Sequence, residues 1–163
     1  MTNRPHTRLF IALAAASLLT GCSGQGDTGA VADQVRKDAL GLVAAYNAQD
    51  AAAAAAYDAP DYVGIYHGTP NNVGPAADLK EMKAAMAVSK LDWQIGEGQV
   101  TVARAGDIGI FEAPYSFTVT TPQGAVMRET GNWIAIFKRQ KNGAMKLWRS
   151  IGSDLPATKV EVS

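Results

Sequence analysis

NWIAIFKRQKNGAMKLWRSIGSD, Asn132 to Asp154, alternates in character on both sides of Asn142-Gly143, the strongest short-range signal for a two-residue hairpin turn of the I′ type. Such a turn sets Phe137 opposite Trp148, Ala135 opposite Ser150 and Trp133 opposite Gly152, all on one face. The other face carries Ile134, Ile136, Leu147 and Ile151. A sheet with one side in water has one polar face, so two apolar faces imply two covers. Helices of the same chain are expected over one, and a second copy over the other, giving a homodimer through the outer sheet face.

Working back from this hairpin, the period is two over Val126 to Arg139, Ile108 to Thr120 and Asp92 to Ala103, with irregularity expected at Gly96 and Gly98. With Met145 to Ser153 these make an antiparallel meander. Before Leu91 the pattern is helical. Val31, Val35, Ala39, Leu42, Val43 and Tyr46 recur at spacings of three and four, one face of a first helix. Asp50 is placed to cap a second, Ala51 to Tyr57, which Pro60 stops. Asp58 and Asp61 are left with helix-stop and turn duties. Tyr62 to Tyr66 suggests a short strand, and His67 to Pro75 is loop chemistry. Pro75 opens a third helix with Leu79, Met82 and Met86 buried and Asp78, Lys80, Glu81 and Lys83 on the wet side. Helices first and a twisted sheet last make an α+β domain.

At 163 residues and 47% hydrophobic, the chain has room for one domain with a real core. Arg4 and Arg8 are the only charges of the first 26 residues, and the remainder holds thirteen basic against fifteen acidic residues. That balance offers nucleic acid no basic surface. MTNRPHTRLFIALAAASLLTGC joins these arginines to an apolar run, Leu9 to Leu19, too short to span a membrane, which takes about 20 residues. Leu19-Thr20-Gly21-Cys22 resembles the bacterial lipobox, which implies lipidation of Cys22 and cleavage just before it. The expected organisation is therefore a signal peptide over 1–21, a lipidated Cys22 with a flexible tether over 22–30, a domain over 31–155 and a tail over 156–163. The expected location is the cell envelope, on the periplasmic face of the outer membrane in a Gram-negative host. Cys22 is the single cysteine, so no internal disulfide supports the fold.

The order of elements, with YHGTPNNVGPAADL (Tyr66 to Leu79) and ETGNWIAIFKRQKNGAMK (Glu129 to Lys146), is similar to the nuclear transport factor 2-like superfamily over Val31 to Leu155. That superfamily includes SnoaL-like proteins and ketosteroid isomerases. The resemblance implies three helices packed on a curved antiparallel sheet, a cone with its ligand site at the mouth. In steroid isomerases a carboxylate base, a helix tyrosine and a protonated aspartate do the chemistry. Those positions fall here at Tyr66, near Leu42 and near Ala135, so the constellation is absent and that reaction is disfavoured.

The same alignment puts Trp133, Phe137, Trp148 and Ser150 on the inner face with Phe111, Tyr115 and Phe117, and adds Trp93 and Tyr66: an aromatic-lined pocket for a small apolar or aromatic molecule. Each tryptophan retains an N–H for a directional bond. His67, beside Tyr66, and Glu129, which shares the parity of Trp133, are the candidate acids or bases of an alternative, an isomerase, dehydratase or hydrolase. Ser150 has no readable histidine relay, so no nucleophile is assigned. His67 lacks a second histidine or a carboxylate cluster, so no metal and no cofactor is expected.

Overall fold

The computed structural model describes residues 27–155 and the backbone of residues 159–161. The expected signal peptide, Cys22 and the first part of the expected tether lie outside the described residues. Helix α1, Thr28–Asn47, begins inside the expected tether because the Asp27 side chain accepts a hydrogen bond from Ala30 N at 3.0 Å. A satisfied N-cap outweighs the small-residue composition of the first turn. Val31, Val35, Ala39, Leu42 and Val43 form the buried face of α1, as their spacing predicts.

Helix α2, Ala51–Ala55, is capped by Asp50 and ends two residues short of Tyr57. Pro60 does not stop it. Strand β1 runs Asp58–Ile65 and contains Pro60, at an irregular stretch of the parallel pairing with β7 (Met145–Asp154) between Asp58 and Val63. A residue without an N–H is tolerated there because no ladder bond is asked of it. Leu147 N donates to Tyr57 O at 2.8 Å and draws the chain out of the helix into the sheet.

The expected loop after β1 contains a two-residue strand β2, Asn72–Val73, before α3, Pro75–Val88. The expected strand over 92–103 is two, β3 (Lys90–Ile95) and β4 (Gln99–Val102), divided at the two glycines. Both pair with β5, Ile108–Thr120, which pairs along its whole length with β6, Val126–Arg139. Residues 159–161, expected as tail, form strand β8 against β6. The sheet order is β2-β1-β7-β6-β5-β3, with β4 also on β5 and β8 also on β6.

The β6–β7 hairpin departs from the expected register near its turn. Gly143 has φ 88° but Asn142 lacks a positive φ, which a I′ turn demands. Gly143 N instead bonds Gln140 O and Gln140 N bonds Ala144 O, closing a three-residue loop. Phe137 therefore faces Leu147, not Trp148. A β-bulge then absorbs Trp148, so that Ala135 faces Ser150 and Trp133 faces Gly152 as expected. Leu147 turns inward and is 1% exposed. Trp148 turns outward.

Helix α1 lies across the inner face of the sheet. A Cβ on Gly109 would sit 2.6 Å from Val35, so glycine is what allows the helix this close to β5. Phe111, Phe137, Leu147 and Ala135 are buried beneath, each large side chain contributing roughly 1.5–3 kcal/mol. On the outer face Ile134, Ile136 and Ile151 are half-buried. Beside them Trp148 donates its Nε1–H to Asp61 Oδ2 at 3.0 Å and carries Lys138 and Arg149 over its ring, 4.8 and 4.1 Å from the centroid.

Candidate functional site

A cavity of about 500 Å³ opens where the C-terminal end of α1 and the face of α3 meet the inner sides of β3, β5 and β6. Trp93 forms its centre, with ring centroids 5.2 Å from Tyr46, 4.6 Å from Trp133 and 6.5 Å from Phe117, all in edge-to-face arrangement. Trp93 is on an edge strand held by two side-chain amides of the α1–α2 junction. Asn47 bonds both Trp93 N (2.7 Å) and Trp93 O (2.8 Å), and Gln49 does the same for Leu91 at 3.2 and 2.8 Å. These amides pair the edge as a neighbouring strand would.

Of the residues expected in the pocket, Tyr66, Trp93, Tyr115, Phe117 and Trp133 line the cavity, together with His67 and Glu129. Phe111 and Phe137 do not; they are 1% and 0% exposed and fill the core behind it. Ser150 is also buried behind the wall, where its Oγ accepts from Trp133 Nε1 at 2.9 Å and from the Tyr66 hydroxyl at 2.7 Å. Its role is to orient two wall residues. Trp148 lies on the opposite side of the sheet because of the bulge. Gly152 completes this wall, since a Cβ there would meet the Tyr66 ring at 3.0 Å.

Glu129 accepts a hydrogen bond from the Tyr115 hydroxyl, whose pKa is raised by burial and by that carboxylate. His67 is at the rim with its Nδ1 3.1 Å from Asp154 Oδ2, its side chain 80% exposed. Neither expected acid–base residue is the deepest polar group.

That group is Asp78, expected on the wet side of α3 but 7% exposed. It lies one turn before the buried Met82 on the stripe that continues to Ala85, and all three face the cavity. Asn72 Nδ2 donates to Asp78 Oδ1 at 3.2 Å, and Tyr62 and Asp58 lie close enough to the carboxylate to favour its charged form. Asp58 is 8% exposed, and its Oδ2 has no hydrogen-bond partner among the described residues. Burial first, then the charge and hydrogen bond of Asp78, push Asp58 up to about 8. Asp78 is raised as well by its own burial, while the hydrogen bond of Asn72 and the nearby Tyr62 and Asp58 favour its ionised form. Asp58 thus keeps a proton and Asp78 carries the charge, the division expected of two carboxyls that cannot both ionise.

Around the pair, burial raises the phenols of Tyr46 and Tyr62, with Tyr66 and Asp78 adding to both, and holds Tyr66 at about 12. The exposed part of Tyr66 is its ring; its hydroxyl points inward to Ser150. The sequence signal for Asp78 was its place on an apolar stripe. Asp58 offered none, because its burial follows from the pairing of β1 with β7.

Among the described residues no group of three or more His, Cys, Asp and Glu side chains is arranged to hold a metal. A groove of about 1040 Å³ along α1, α2 and the β6–β7 turn is lined largely by small and exposed residues, with no buried polar side chain.

No family model matches the chain, and no curated protein matches it in sequence. Solved structures do resemble it. A nuclear transport factor 2-like superfamily protein from Salmonella enterica superposes with a TM-score of 0.69 at 15% identity, over 82% of this chain and 96% of that one. This chain has the nuclear transport factor 2-like fold. A Novosphingobium aromaticivorans protein provisionally named an aromatic ring hydroxylase matches with a TM-score of 0.73 at 17% identity, over 81% and 94% of the two chains. A ketosteroid isomerase-like protein from Erwinia carotovora atroseptica gives 0.65 at 18% identity, over 77% and 97%. Likeness at these identities concerns the fold alone, and the positions that the resemblance would give to the isomerase's groups hold other side chains. Leu42 and Ala135 are buried apolar residues, and Tyr66 presents a phenol bonded to Ser150.

Proposed function

We propose that this chain is a lipid-anchored cell-envelope protein that binds a small, largely apolar or aromatic molecule in the cavity over Trp93. The observation that carries the reading is the wall itself: two tryptophans, a phenylalanine and three tyrosines around about 500 Å³, a size and lining suited to a small-molecule ligand. Aromatic rings offer such a ligand large contact area with little side-chain entropy to lose. Lipidation of Cys22 would hold the domain at the membrane, and no helix among the described residues is long and apolar enough to cross one. A homodimer through the outer sheet face belongs to the same proposal, supported by half-buried Ile134, Ile136 and Ile151.

Native mass spectrometry of protein purified from its own host, followed by melting-temperature shifts across a panel of hydrophobic compounds, tests the binding reading. A retained small molecule and a rise of several degrees with at least one compound are expected; a chain that carries nothing and responds to nothing overturns it. For the anchor, Cys22→Ser is expected to lose lipid labelling and membrane retention.

A second reading, an acid–base enzyme, is favoured by the Asp58–Asp78 pair more than by His67 or Glu129. A charged carboxylate facing an aromatic cavity, backed by a neutral one that holds a proton, is the arrangement that proton transfer requires. Turnover abolished by Asp78→Asn with ligand binding retained would establish it.

A further inference from the structure

The cavity has a pattern of charge and hydrogen bonding that discriminates among ligands. Asp78, Glu81 and Glu129 line it, and among the described residues no Lys or Arg does. Lys146, whose ammonium attracts Asp58, is fixed on Ala56 O at 2.5 Å and lines the groove on the other side of α2. His67 at the rim is engaged with Asp154. The negative charge of Asp78 is therefore buried without a cation, an arrangement that favours the arrival of one.

Most of the donors around the polar end are committed within the protein, whereas the Tyr46 hydroxyl and Trp93 Nε1 on the cavity wall have no hydrogen-bond partner among the described residues. Tyr66 and Trp133 donate to Ser150, Tyr115 donates to Glu129, and Asn72 donates to Asp78. What these groups leave for a ligand is acceptor oxygen. A ligand group that meets Asp78 and Glu129 must bring the protons, and preferably the positive charge, while the aromatic walls add a π-surface on which an ammonium is attracted.

We propose that the cavity recognises an organic cation, an aromatic or apolar body against Trp93 and Trp133 that carries a protonated amine or quaternary ammonium to Asp78. This rests on the cavity being a ligand site and specifies its ligand class. Neutral compounds of the same shape bind more weakly because they leave Asp78 desolvated and unpaired, and anions are repelled by all three acids.

The test is calorimetric titration of the purified chain with matched compounds: phenethylamine against 2-phenylethanol and 3-phenylpropanoate, and benzyltrimethylammonium against neopentylbenzene, its uncharged isostere. Each cation is expected to bind at least tenfold tighter than its neutral partner, with the carboxylate weakest. Asp78→Asn is expected to reduce affinity for the cations about tenfold and to leave that for the neutral compounds within twofold. Should Asp78→Asn fail to fold, Glu81→Gln, at an exposed position, is expected to produce a smaller loss in the same direction. Equal affinities within each matched pair overturn the cation proposal while leaving the binding reading intact. Absence of binding by every compound overturns both.

Discussion

Asp78 and Asp58 show how one side chain's environment decides its chemistry. Both are ordinary acids in sequence, one in a helix's first turn and one two residues before a proline. In the fold they meet under a lid of tyrosines, and Asp58 retains its proton up to about pH 8 against a normal value of 3.8. Between those limits the folded chain holds a proton that the unfolded chain has released, so stability falls as pH rises through the window. Asp78 opposes ionisation of Asp58 and Lys146 assists it, so the pair and this lysine set the profile. Asp58→Asn, which cannot ionise, is expected to show a flatter fall in melting temperature between pH 5 and 8.5, and to exceed the native chain at the alkaline end. Each kcal/mol recovered corresponds to roughly 3 °C. Parallel profiles for the two proteins would falsify the assignment of the proton to Asp58.

The β6–β7 hairpin carries the same lesson for an element. Its strands and distal pairs were legible from alternation, and Trp133 does face Gly152. Asn142-Gly143 predicts a two-residue turn where the loop has three, and the bulge at Trp148 cancels that offset farther up the ladder. Only the residues between turn and bulge are displaced, and they include the tryptophan assigned to the pocket. Trp148→Ala is therefore expected to leave ligand affinity within twofold and to cost about 1 kcal/mol in denaturant unfolding, from its exposed cation–π contacts. Trp93→Ala is expected to lower affinity at least tenfold in the same titration. The reverse ranking would return Trp148 to the site.

For the whole molecule, one face of the sheet is covered by α1 and the other is bare among the described residues. Sedimentation is expected to report a dimer, and Ile134→Glu a monomer that still binds ligand; a native monomer would remove the outer face as an interface. Periodicity alone determined the limits of β5 and β6, the buried stripe of α1 and the layered α+β order, because a strand or helix face is written in neighbours two to four residues apart. The division of labour among the aromatics and acids was decided by tertiary structure. Whether Trp148 faces in or out depends on a bulge negotiated between two strands, and whether Asp78 is wet or buried depends on where α3 docks. Burial and proton affinity are set by atoms brought close in space from distant parts of the chain, and local pattern does not encode them.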